Sequence, residues 1–140
     1  MQLVRLVYVS RKPQHIAEEA ITNILSFARS YNIKNNITGI LCFNRKYFLQ
    51  CLEGNRLTVN QTFQRILRDS RHEGVLMLDY REIERREFAQ WNMGYVPDST
   101  RTHDIHLKYS SGTEFEPYEL SGQSAHLLML ELKNVLPMSE

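Results

Sequence analysis

A chain of 140 residues, 42% hydrophobic and 24% charged, is long enough for one domain with its own core, and its net charge of +1 gives no reason to expect nucleic acid, an acidic partner or a membrane surface. No apolar run approaches the roughly 18 residues of a membrane span. Met1-Gln2-Leu3-Val4-Arg5 opens as a strand without a signal peptide's layout, so a cytoplasmic protein is expected.

Residues 3–10 read as a central strand: Val4, Leu6 and Tyr8 share one face, and Leu3, Arg5, Val7 and Val9 the other. Pro13 ends it. Residues 16–31 form a helix by the three-four recurrence of Ile16, Ala17, Ala20, Ile21, Ile24, Leu25, Phe27 and Ala28, followed by a polar turn at 32–36. Residues 37–43 and 47–53 form a hairpin. Its turn, Asn44-Arg45-Lys46, puts Cys42 opposite Phe48 and not Cys51, so no disulfide is expected. Asn55 is placed to cap a second helix running to about residue 69. Its apolar stripe is Val59, Phe63, Ile66 and Leu67. Beside it runs a polar line, Thr58, Thr62, Arg65, Asp69 and His72, which by spacing alone reads equally as a solvated face with an Arg65–Asp69 ion pair. After Gly74, residues 75–83 and 88–96 read as strands four and five.

This order, β-α-β-β-α-β-β, is that of an α+β ferredoxin-like sandwich: a mixed five-stranded sheet with two helices on one face and strands one and three central. Residues 1–97 form that domain, and residues 98–140 a C-terminal helical extension. In the extension Ser121 caps a last helix through about Leu136. Its stripe, Ala125, Leu128, Met129, Leu132 and Leu136, must bury itself on the open sheet face or on another chain.

Gln50 is the unusual residue. Alternation puts its amide between Phe48 and Leu52 on an apolar strand face, where lacking partners would cost roughly 2–7 kcal/mol. Its amide offers an acceptor and two donors, and a flip exchanges them. Central strands one and three would bring Tyr8 to it.

No phosphate loop, G-x-S-x-G elbow or H-E-x-x-H pair occurs, and His15, His72, His103, His106 and His126 lack ligand spacing, so no metal site or enzyme is expected. The third strand lacks the glycine-aromatic pattern of RNA-binding sheets. Taken singly, Tyr8, Gln50, Trp91, Met93 and Asn32 read as ordinary packing, satisfied-amide or turn residues.

Several blocks in order carry more: Leu6-Val7-Tyr8-Val9-Ser10, Asn32, Asn36-Ile37-Thr38-Gly39-Ile40-Leu41-Cys42, Phe48-Leu49-Gln50-Cys51-Leu52-Glu53-Gly54, residues 65–72, and Trp91-Asn92-Met93. Together, over about residues 1–96, they resemble the BLUF family of blue-light sensors using FAD, and the tail resembles its short, stand-alone, cyanobacterial-type members.

The resemblance implies noncovalent FAD, its ring between the two helices, with Ile24 among the walls and Asn32, Gln50, Tyr8, Arg65, Asp69 and His72 as binding residues. It implies that, under blue light, Tyr8 gives up an electron and, through Gln50, a proton; that Gln50 is left with a changed tautomer or orientation; and that a reversible red shift results. Ser10, Trp91 and Met93 are the implied relay, with Trp91 and Met93 on one face of strand five and either able to lie beside Gln50. A downstream protein partner and a homo-oligomer are implied as well. Asn92 and Tyr31 depart from the usual pattern without touching a photochemical position. The competing readings are a cofactor-free ferredoxin-like interaction module and a flavin enzyme, the latter without a nicotinamide fingerprint.

Overall fold

A computed structural model describes residues 2–13, 18–97, 100–110 and 115–135. The expected helix start at Ile16-Ala17, the helix end at Leu136 and His15 lie outside the described residues.

The elements are β1 (Leu3–Arg11), α1 (Glu18–Asn35), β2 (Thr38–Phe43), β3 (Tyr47–Asn55), α2 (Arg56–Leu67), β4 (Glu73–Glu82), β5 (Gly94–Pro97), α3 (Thr100–Lys108), one 3-10 turn (Pro117–Glu119) and α4 (Gly122–Lys133). The sheet order is β4-β1-β3-β2-β5. β1 pairs antiparallel with both β3 and β4, β2 antiparallel with β3, and β5 parallel with β2. The mixed sheet with β1 and β3 central is thus as expected, and Tyr8 faces Gln50 in register.

Strand alternation sorts the apolar side chains into two cores. Val4, Leu6, Tyr8, Leu41, Phe48 and Leu52 pack against Ile21, Ile24 and Leu25 of α1 and Val59 and Ile66 of α2. Val7, Val9, Ile40, Cys42, Leu49 and Cys51 point the other way, against Ala125, Leu128, Met129 and Leu132 of α4. The last helix therefore buries its stripe on the open sheet face of its own chain. Each fully buried Leu or Met there contributes roughly 1.5–3 kcal/mol. Ser121 accepts from the Ser124 amide at 3.0 Å, as a cap should.

Three expectations need correcting. First, α1 continues to Asn35, so Asn32 lies within its last turns and not beyond it. The helix stops where Asn36 takes φ 56, a left-handed conformation that asparagine tolerates. Second, the hairpin pairs Phe43 with Phe48 and Cys42 with Leu49, one residue from the expected register. The cysteines still do not face one another, and both are free and buried. Burial pushes the Cys42 thiol up to about 12, which leaves it inert. Third, the fifth strand is only Gly94–Pro97, and residues 88–93 are irregular.

Gly39 marks a close crossing. A Cβ there would lie 1.9 Å from the Cys51 carbonyl oxygen, so only glycine lets β2 and β3 approach at that point. None of the described helices is long and apolar enough to cross a membrane.

Candidate functional site: a cleft between two helices

Between α1 and α2 lies a narrow cleft of about 50 Å³. Ile24, Phe27 and Ala28 form one wall, and Thr62, Arg65 and Ile66 the other. Leu41, Gln50 and Leu52 make the floor, and Asn32, Met93, Asp69, Arg71 and His72 the polar ends. A larger, open groove of about 540 Å³, lined by Lys12, Phe43, Arg45 and Tyr95 among others, contains none of the expected site residues. Volume alone would choose it, but the convergence of buried polar groups favours the narrow cleft.

The floor carries a short hydrogen-bonded chain. The Tyr8 hydroxyl donates to Gln50 Oε1. Gln50 Nε2 in turn lies 3.3 Å from the thioether sulfur of Met93, a weak acceptor. The amide is thus satisfied by one firm partner and one soft one. Tyr8 is fully buried, and burial raises its pKa, with the Asp69 charge adding to the rise, so its proton is retained.

Ser10 Oγ and His72 Nδ1 lie 3.0 Å apart. The imidazole packs beside Tyr8 and Phe48, with ring centroids 6.1 and 5.0 Å away. Burial pulls its pKa down to about 4, so His72 is neutral near pH 7. Asp69 pairs with Arg71, not with Arg65. Hydrogen bonds from Arg71 hold its carboxyl below the usual range. Arg65 instead spreads its guanidinium over Tyr31, 3.6 Å from the ring centroid, and over Phe27 at 4.9 Å. The spacing argument for an Arg65–Asp69 pair failed because two aromatic faces on α1 compete for the guanidinium.

Asn32 is buried in the cleft and donates from Nδ2 to the Asn92 carbonyl at 2.6 Å. Arg29 Nε donates to the Met93 carbonyl at 3.0 Å. These α1 side chains hold the segment before β5. That segment separates two residues expected on one face. Met93 belongs to the core under α1 and α2, whereas Trp91 is packed in the core under α4. The backbone passes around the outer edge of β2 between them: the Gly39 amide donates to the Trp91 carbonyl, and Gly94 pairs with Ile40. Met93, not Trp91, is beside Gln50.

Sequence reasoning missed Arg71, Arg29 and the aromatic partners of Arg65. The i+2 spacing of Asp69 and Arg71 was a readable signal for the first. The others depend on helix–helix and helix–loop contacts that no local pattern encodes.

The cleft suits a flavin ring chemically, with Ile24, Phe27 and Ile66 as apolar side chains on its walls, the Gln50 amide at its base backed by the Tyr8 phenol, and Arg65 and Arg71 as cations in its lining. Its volume of about 50 Å³ is below the roughly 300–1,000 Å³ typical of pockets for such ligands. Arg65, which lines this cleft, lies over Tyr31 and Phe27.

Residues 3–94 match the family described as sensors of blue-light using FAD, and the chain belongs to this family, BLUF. It is therefore a blue-light photoreceptor domain whose cofactor is FAD. It is 33% identical over 85 residues to the blue light- and temperature-regulated antirepressor BluF of Escherichia coli (strain K12), spanning 59% of this chain and 21% of that protein. With the photoactivated adenylate cyclase subunit alpha of Euglena gracilis the identity is 30% over 88 residues, 63% of this chain and 9% of the relative. The chain thus spans only a minor part of these relatives. Solved structures match it end to end. BlsA in its photo-activated state superposes with a TM-score of 0.86 at 31% identity, covering 94% of each chain. BlrB in its dark state gives 0.82 at 29%, covering 96% of this chain and 98% of that one.

Proposed function

We propose that this chain senses blue light through Tyr8 and Gln50 and passes the event on as a change of contacts, without catalysing a reaction of its own. The observation that carries this reading is the run Tyr8 hydroxyl, Gln50 amide and Met93 sulfur at the base of the cleft.

Bound FAD supplies the visible absorption and an electron acceptor. Ile24 and Ile66 would flank the ring, Asn32 and Gln50 would bond its polar edge, and Arg65, Asp69 and His72 would hold groups further out; all seven line the cleft. Tyr8, hydrogen-bonded to Gln50 Oε1, would be the donor of an electron to the bound group and of its hydroxyl proton towards the amide, and both would come back to Tyr8 when the charges recombine. The amide would be left with its donor and acceptor ends redistributed once the proton is back on Tyr8. Since Nε2 faces only the soft sulfur of Met93, leaving that partner costs less than breaking a bond to a carbonyl oxygen would. Ser10 keeps His72 in place as a neutral wall beside the tyrosine.

The signal leaves through Met93, around the edge of β2 to Trp91, and so to α4. In this reading residues 1–97 are the sensor and residues 98–140 the output, acting on a separate protein in the cytoplasm or on the assembly of several copies of this chain. A signalling state of this kind must expose different contacts from the dark state.

Two substitutions test the proposal. Tyr8→Phe is expected to retain FAD and lose the light-induced red shift. Gln50→Leu is expected to lose the shift while keeping the fold, because a buried polar group gives way to an apolar one. A normal photocycle in either variant contradicts the assignment.

A further inference from the structure

Among the described residues, Glu53 is the one carboxylate with no exposed surface. It stands on β3, three positions after Gln50, but on the opposite sheet face, away from the cleft. Burial raises its pKa, and a ring of donors works against that rise. Oε1 accepts from the Phe88 amide at 3.0 Å and from Thr38 Oγ1 at 2.9 Å. Oε2 accepts from the Glu87 amide at 2.6 Å. Arg86 completes the cluster, donating to Thr38 Oγ1 at 2.8 Å and to the carbonyls of Glu53 and Asn36 at 3.0 and 2.7 Å.

Every partner lies on β2, β3, the turn before β2, or the first residues of the segment that leads to Met93. The Phe88 carbonyl accepts from the Trp91 amide, and the Trp91 carbonyl from Gly39. Phe88 and Trp91 both sit in the α4 core, and Lys133 at the end of α4 comes within 4.0 Å of the Glu87 carboxylate. The segment carrying Trp91 and Met93 is thus held at two points: by the Glu53 carboxylate on one sheet face, and by Arg29 and Asn32 on the other.

We propose that Glu53 is a positioning residue for the light response: a latch fixing residues 86–93 to the strand that carries Gln50, so that a movement at the Gln50–Met93 contact is delivered to Trp91 and α4. The inference rests on the sensor reading above and names the route by which that sensor reports. The chemistry explains the residue type. Two backbone N–H groups converge on two oxygens, and only a carboxylate accepts at both. Glutamine would put an N–H₂ against one of the amides and leave Arg86 without a counter-charge.

The test uses the FAD-loaded full chain, with hydrogen exchange of the α4 amides (residues 122–133) measured in the dark and under blue light, alongside the absorption spectrum. Glu53→Gln leaves Tyr8 and Gln50 untouched, so the red shift stays. The light-minus-dark difference in α4 exchange falls roughly fivefold or more, the low end of coupling between sites. Arg86→Ala, at a partly exposed position, weakens the latch in the same sense and serves if Glu53→Gln fails to fold. A purely structural role would lower the melting temperature and leave the light-induced difference intact. That outcome in both variants overturns the proposal, as does a wild-type protein that red-shifts with no light-dependent exchange in α4. Absence of the red shift from the wild type itself removes the sensor reading, and the latch with it.

Discussion

Gln50, the proposed switch, has unequal partners. A hydroxyl donor holds its oxygen, while among the described residues the partner of its nitrogen is a sulfur, which accepts weakly. An amide pinned by two strong bonds would stay put; one with a soft end has somewhere to go. Its neighbour His72 supplies a pH prediction. Because burial lowers its folded pKa from 6.5 to about 4, the unfolded chain takes up a proton over that interval that the folded chain refuses. Stability contributed by neutral His72 is fully present above about pH 6.5 and declines as the pH falls towards 4. The expected loss from pH 7 to pH 5 is about 2 kcal/mol. Asp69 adds little over that range, since its ordinary pKa is 3.8 and the folded value is lower still. Urea unfolding at the two pH values checks this. His126, also pulled down by burial, adds to the loss, and Glu53, whose burial raises its pKa, works against it, so His72→Gln, which keeps a partner for Ser10 but does not titrate, should show a smaller difference than the parent chain.

At the level of elements, α4 and the cleft between α1 and α2 are separated by the sheet, and among the described residues their side chains fall in different cores. Leu128→Ala should therefore cost about 2–5 kcal/mol and lower the melting temperature, yet leave the bound flavin's absorption maximum in place. A shifted maximum would mean that the two faces are coupled even in the dark. The same two-sidedness explains what could be read from the sequence. Period-two alternation in β1 and β3 gave the faces of Tyr8 and Gln50 correctly, because both faces are apolar and each has its own helices. In residues 88–96 the same alternation misled. Phe88, Trp91 and Met93 look like strand positions, but side chain-to-backbone bonds from Glu53, Arg29 and Asn32 hold that segment in place of a ladder, and it turns around the sheet edge. Those partners come from distant parts of the chain. For the same reason the polar end of α1 read as a turn: Asn32 and Arg29 point inward to bond the 92–93 backbone, which local composition does not reveal.

Across the whole molecule, the proposed light-absorbing cleft lies on one sheet face, a helix on the other, and one segment visits both. The sheet between them is continuous, with β1 and β3 paired along their length. A local event at Gln50 therefore reaches α4 most directly around the edge, where Trp91 and Met93 sit two residues apart on opposite sides. The central claim is that the cleft binds FAD and that light rearranges Gln50 without leaving the flavin reduced. It is tested most directly by the absorption spectrum of the purified, FAD-loaded protein before blue light, after it, and during return to darkness. The account predicts a small red shift of the flavin bands that reverses fully in the dark. A protein that stays colourless with FAD added, or one that bleaches to reduced flavin and turns over, would contradict it.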